Sequence, residues 1–205
     1  GYIAAQYYHT DGPFKSPQQL QRMNIFGKYF IHLTPNSKIT VSAGGFSSGW
    51  NASGQIPARA VNSGMINRFG GIDNLEGGAT DRENLNLAYN FKGHGGNELE
   101  IQSYLISYGF KLFSDFTYLL NDSINGDMIE QTERRTIHGL NTTYKFISEI
   151  GEYHFVNRVG GGYRADNIEV QLWHSPDRNR MNVFTNDVLA EQNYSLWAEQ
   201  EYSFG

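Results

Sequence analysis

The residue types that do chemistry are present in this chain, but not at spacings that do it. His9, His32, His94, His138, His154 and His174 are dispersed. None belongs to an H-E-x-x-H or other close ligand pair, so no metal site is predicted. The absence of cysteine removes thiolate ligands, disulfides and a thiol nucleophile. No G-x-S-x-G elbow offers an activated serine. Gly160-Gly161-Gly162 lacks the helix start and lysine of a phosphate-binding loop. Glycines within a strand instead let another backbone, or an occupant beside it, come close. The expectation is a non-enzyme without a cofactor.

Binding chemistry is concentrated in the stretch 47–83. Trp50 can stack on a ring or sugar, and Arg59 and Arg68 can meet an anionic group such as a carboxylate. Asp73, Asp81, Arg82 and Glu83 add charge of both signs, which suits internal pairing as well as ligand contact. Pro57 at a first helical position and Gly64 as a stop predict a short helix between them.

The elements that must carry these residues read as strands. Leu85, Leu87, Tyr89 and Phe91 alternate with Asn84, Asn86, Ala88 and Asn90, the period of a sheet with one apolar and one polar face. Such alternation fits a soluble sandwich with its apolar face inward or a membrane barrel with that face outward. About eight strands follow from it: 2–8, 21–33, 39–46, 84–92, 98–119, 136–146, 153–164 and 193–204. Thr34-Pro35-Asn36-Ser37, Gly93 to Asn97 and Ser148 to Gly151 are tight turns. The connections 9–20, 47–83, 120–135 and 165–192 are long. In an up-and-down meander all the long ones share one rim, as in outer-membrane barrels. Ile168, Val170 and Leu172 alternate within the last and predict an extra pass or a hairpin raised above the rim. In 98–119 the apolar phase changes after Ile101, which predicts a bulge near Gln102 and Ser103. Tyr89, Phe91, Tyr144, Phe146, Tyr153 and Phe155 lie beside tight turns, where rings form an aromatic girdle.

Composition agrees with this class. The 205 residues include 13 Tyr, 13 Phe and 23 Gly, and mean hydropathy is -0.51. That suits many strands with a wet face rather than a helical bundle. A net charge of -5 argues against nucleic-acid binding, which needs a basic surface. No apolar run approaches the roughly 20 residues of a membrane helix, so a membrane-spanning form must be a barrel.

The segment Ser47 to Tyr89, in particular Trp50-Asn51-Ala52-Ser53-Gly54-Gln55-Ile56-Pro57, Gly70-Gly71-Ile72-Asp73 and Glu76-Gly77-Gly78, resembles the barrel of TonB-dependent outer-membrane receptors. Tyr7 to Tyr29 and Leu112 to Gly139 are similar to the same family. The resemblance implies an all-β, antiparallel up-and-down transmembrane β-barrel of about 22 strands, of which 1–205 would be a partial barrel domain and 47–83 a long extracellular loop. It implies residence in the bacterial outer membrane and uptake of a scarce ligand such as an iron chelate (siderophore uptake), a vitamin or a glycan. The implied partners are outer-membrane lipid, a plug domain and further strands not present here, the TonB complex acting through the plug, and a small ligand. Trp50, Arg59, Arg68 and Asp73 then belong to the ligand-gathering loop. Lys28, Asn86, Arg158, Glu199 and Glu201 face the lumen, where they either contact the plug or pair within the wall. The alternatives are a complete small barrel of about eight strands and a soluble carbohydrate-binding sandwich using Trp50, Trp173 and Trp197.

Overall fold

The computed structural model describes residues 1–151 and 153–202. Eight strands run in sequence order in one antiparallel sheet: β1 Tyr2–Thr10, β2 Leu20–Thr34, β3 Ser37–Asn51, β4 Gly77–Lys92, β5 Glu98–Ser114, β6 Ile129–Ile150, β7 Tyr153–His174 and β8 Asn182–Tyr202. Every strand pairs with its chain neighbours, and β1 and β8 are the two edges rather than partners of each other. Among the described residues there is neither a closed eight-stranded barrel nor a second sheet. The end of the last predicted strand, beyond Tyr202, lies outside the described residues.

The tight turns form as their composition dictates. Thr34 Oγ1 accepts from the backbone N–H of Asn36 and lies 2.7 Å from Ser37 Oγ, closing the first turn with side-chain oxygens. The second uses Gly95 and Gly96 at φ 68 and 80, and the third Gly151 at φ 64, conformations that glycine takes without steric penalty; Ser148 to Ile150, expected in that third turn, instead pair with Tyr153 to Phe155 as the end of β6.

Several strands are longer than alternation foretells. β3 continues to Asn51 and β4 begins at Gly77, so the long loop is 52–76 rather than 47–83. β5 stops at Ser114, whereas β6 and β7 each reach 22 residues. Residues 129–135 pair with 168–174, so Ile168, Val170 and Leu172 belong to a raised β6–β7–β8 extension. Alternation does not show this length because Glu130 to Arg135 are polar on both faces. A backbone ladder needs no hydrophobic period to persist. The bulge expected at Gln102 and Ser103 is absent: β5 keeps unbroken register with β4 and β6. The sequence phase changes because Tyr104, Ile106, Tyr108 and Phe110 lie on the otherwise polar face. Tyr104 lies against Gly139 there, where a β-carbon would collide with its ring. Shifts of register occur instead between His32 and Thr34 and between Leu172 and Trp173.

Register carries each face across the whole sheet. One cross-strand row reads Ile3, Gly27, Ala43, Leu85, Leu105, His138, Ala165 and Gln192. Nearer the tight turns, this apolar face holds Ile31, Ile39, Tyr89, Ile101 and Leu196. Its side chains are open: Leu85 is 48%, Leu87 47%, Leu105 49% and Leu196 92% exposed. Asn84 and Asn86, on the opposite face, are half-buried. This difference in exposure is what curvature toward the polar side produces, because side chains crowd on a concave face. Among the described residues no layer covers the leucines, which is the reverse of a sandwich.

Candidate functional site

Four connections gather at the end of the sheet opposite the tight turns: 11–19, 52–76, 115–128 and 175–181. Loop 52–76 contains the predicted short helix, Ala58–Asn62, with Pro57 as its N-cap and Gly64 at φ 73 beyond its end. Pro57 thus sits one position earlier than expected. Its φ of -60 with an extended ψ directs the chain into the helix without giving up a needed donor.

The loops are tied to one another. Lys15 N–H donates to Phe69 O at 2.8 Å, and Phe14 packs edge-on against Phe69. Tyr118 Oη donates to Gln55 O at 2.7 Å, joining 115–128 to the same loop. Arg178 reaches from the β7–β8 tip, its Nε donating to Leu75 O at 2.7 Å and its guanidinium lying 4.8 Å from the Phe113 ring centre. Asp177 and Arg178 at that tip have φ 51 and 62, a left-handed pair that turns the hairpin and aims the arginine.

Glu76 lies at the meeting point. Its side chain is buried, its Oε1 has no hydrogen-bond partner, and Gly54 at φ 62 leaves no room for a β-carbon beside it. Burial raises its carboxyl to about 7, with Asp73 and Asp115 adding like charge and the Asp115 N–H opposing the rise. Burial also raises Asp115 and Tyr118. Asp127 behaves oppositely. Burial works against its charge, but donors from Thr117, Asn121 and Asp122 outweigh it and hold the carboxyl at about 2. Its oxygens lie 2.7 Å from Asp122 N and 2.9 Å from Asn121 N, so it organises the 115–128 loop. Among the described residues no group of three His, Cys, Asp or Glu is placed to hold a metal ion.

The residues singled out in the sequence are not brought together into one pocket. Trp50 packs against Gly78 at the top of β3 and lines a cavity of about 490 Å³ with Tyr7, Gln19, Arg22 and Arg178. Arg59 is exposed on the short helix, and Arg68 is exposed with its guanidinium 5.4 Å from the Phe69 ring centre. Asp73 Oδ1 accepts from Leu75 N–H at 2.7 Å, a local turn that leads the chain toward Glu76. Lys28, Asn86, Arg158, Glu199 and Glu201 share the polar face by register. Arg158 Nη1 pairs with both Glu199 and Glu201, the latter at 3.5 Å. Trp50 and Trp197 are on that face but on β3 and β8, and Trp173 is on the other, so the tryptophans form no common platform. Trp197 covers Gly160, which accounts for one glycine of the triplet.

Sequence reasoning missed Glu76, Tyr118 and Arg178 as rim ties. Ser175-Pro176-Asp177-Arg178 has turn composition, the one local hint that Arg178 sits at a hairpin tip. Nothing local indicates that its side chain reaches Leu75.

Comparison with known proteins bears on the fold. The chain is similar in structure to the ferric citrate transporter FecA in its unliganded form, with a TM-score of 0.76 and 11% sequence identity. The match covers 99% of this chain and 30% of that one. No family model matches the sequence, and no curated protein does. At this identity the likeness concerns architecture. The sheet is a section of up-and-down β-barrel wall, spanning about a third of the transporter's length.

Proposed function

We propose that this chain is part of the wall of a plugged outer-membrane receptor of the TonB-dependent kind, which takes up a scarce ligand. The observation that carries the reading is the sidedness of the sheet. An uncovered apolar face opposes a polar one, and the long loops share the rim opposite the tight turns. Outward leucines with a polar interior are what a lipid-bathed barrel requires. The aromatic residues near the tight turns lie on that apolar face. Tyr144 stacks on Phe146 at 5.8 Å, and Phe155 and Tyr153 lie 5.2 and 5.7 Å from Tyr202. Rings at this level form the interfacial girdle of a spanning barrel. No helix among the described residues is long and apolar enough to cross a membrane; in this reading the strands cross, since about 9 to 11 residues suffice. The upper parts of β6 and β7 rise beyond that thickness into the ligand-gathering surface with the loop 52–76.

The unpaired edges β1 and β8 favour a section of a larger barrel over a complete small one. Likeness to a ferric citrate transporter makes an iron chelate the first ligand class to try. Recovery of the full-length parent protein in the outer-membrane fraction, with heat-modifiable migration, supports the reading. A freely soluble parent protein refutes it, as does unchanged ferric-chelate, vitamin and glycan uptake after deletion of its gene.

A further inference from the structure

The polar face is divided by charge. On β1–β4, register places Arg22, Lys28, Lys38, Arg82 and Lys92 on this face and no carboxylate at all. On β5–β8, Glu98, Glu100, Glu133, Asp166, Glu199 and Glu201 share it with fewer cations. The polar-face ion pairs among the described residues all belong to this second half: Lys145 with Glu98, Arg135 with Glu133, Arg158 with Glu199 and Glu201, Arg164 with Asp166 and, when its imidazole is protonated, His154 with Glu149. Among the described residues, none of the cations of the first half has an ionic partner on this face. Arg22 stacks on Tyr8 instead, and its buried Nε has no hydrogen-bond partner. Lys92 stands at the boundary, opposite Glu98 in register.

Two of these cations, Lys28 and Lys38, line one cavity. His32 is directly opposite Lys38, and Tyr2, Lys28, Phe30, His32, Lys38 and Thr40 line a cavity of about 590 Å³. Two ammonium groups in one concavity repel each other unless an anion lies between them, and low-dielectric walls strengthen both effects. The remainder of the wall offers no such anion among the described residues.

We infer that the polar face of β1–β4 is a docking surface for an acidic protein segment, whose Asp and Glu side chains meet Lys28 and Lys38 on the inside of the barrel. The inference rests on the receptor reading, in which a protein domain fills the lumen, and adds the charge and orientation of that filling. Its acidic side faces β1–β4, and the carboxylate-rich β5–β8 half faces its neutral or basic side. Arg22 and Arg82 extend the same surface toward the rim, in register with Ser48 and Phe46.

Zero-length carbodiimide cross-linking of the intact full-length protein in outer membranes tests this, because it forms an amide only where an amine touches a carboxylate. Peptide mapping is expected to join Lys28 and Lys38 to Asp or Glu of a segment outside 1–205. K28E/K38E is expected to lower the protection of that segment from protease about tenfold in low salt, and less in high salt. The wild-type cross-links decide the matter even if this variant fails to assemble. The inference is overturned if Lys28 and Lys38 remain unlinked and react with a small amine reagent as fast as loop Lys15, or if they link only within 1–205. An outer-membrane protein with a plug but no such link refutes this inference alone. A soluble parent protein refutes the receptor reading with it.

Discussion

Replacing Glu76 by Gln removes one titration from the centre of the rim while keeping the shape of the side chain. The wild-type carboxyl, ordinarily near 4.5, is held at about 7 chiefly by burial. A raised carboxyl favours the closed structure while protonated. Its contribution is complete below about 4.5 and is lost as pH rises through about 7. The gap corresponds to at most about 3 kcal/mol, and solvent at the rim reduces it to roughly 1–3 kcal/mol. Asp115 is shifted in the same direction and adds a smaller slope of the same sign. The lowered groups Asp122 and Asp127 lose their contribution only in more acidic solution. Hydrogen exchange at Ala52, whose N–H donates to Glu76 O at 2.9 Å, reports the opening directly. Corrected for intrinsic rates, protection in the wild type should fall about 5- to 100-fold between pH 5 and 8. Glu76→Gln should keep only the residual slope and be the more protected form at pH 8. Equal slopes in the two proteins, or wild-type protection that rises with pH, would refute this account of Glu76.

Gly54→Ala places a β-carbon against the Glu76 carboxylate at φ 62 and should destabilise the closed loop 52–76 by about 1–3 kcal/mol, read as faster proteolysis within it. Leu87→Arg, on the uncovered apolar face, should oppose membrane assembly by about 2–4 kcal/mol if that residue lies near the bilayer midplane, whereas Asn86→Arg on the polar face should assemble normally. Heat-modifiable migration of the two variants compares them, and equal assembly would contradict the assigned sidedness. Trp197→Ala uncovers Gly160 and should lower the thermal midpoint through the loss of roughly 1–3 kcal/mol of ring burial, while Leu196→Ala, 92% exposed on the other face, should change it little in detergent.

How much of this was legible in the chain depends on the range of the interaction. Alternation at Leu85, Leu87, Tyr89 and Phe91 determined a two-faced strand, because successive side chains point to opposite sides whatever the partner. Turn chemistry at Thr34 to Ser37, Gly95, Gly96 and Gly151 determined where tight hairpins close, since those backbone conformations are set by the residues themselves. Strand and loop lengths from Ser47 to Glu83 and from Ile129 to His174 were not legible. There the ladder continues through residues without a hydrophobic period, held by pairing with a neighbour known only in the fold. The missing bulge in β5 has the same origin, as Gly139 on the next strand makes room for Tyr104 on the polar face. Arg178 reaching Leu75, and Glu76 buried beneath Gly54, joined residues that nothing in the sequence links. Register alone decided that Arg22, Lys28, Lys38, Arg82 and Lys92 share one face while carboxylates crowd the other half, because it fixes which side chains become neighbours across strands.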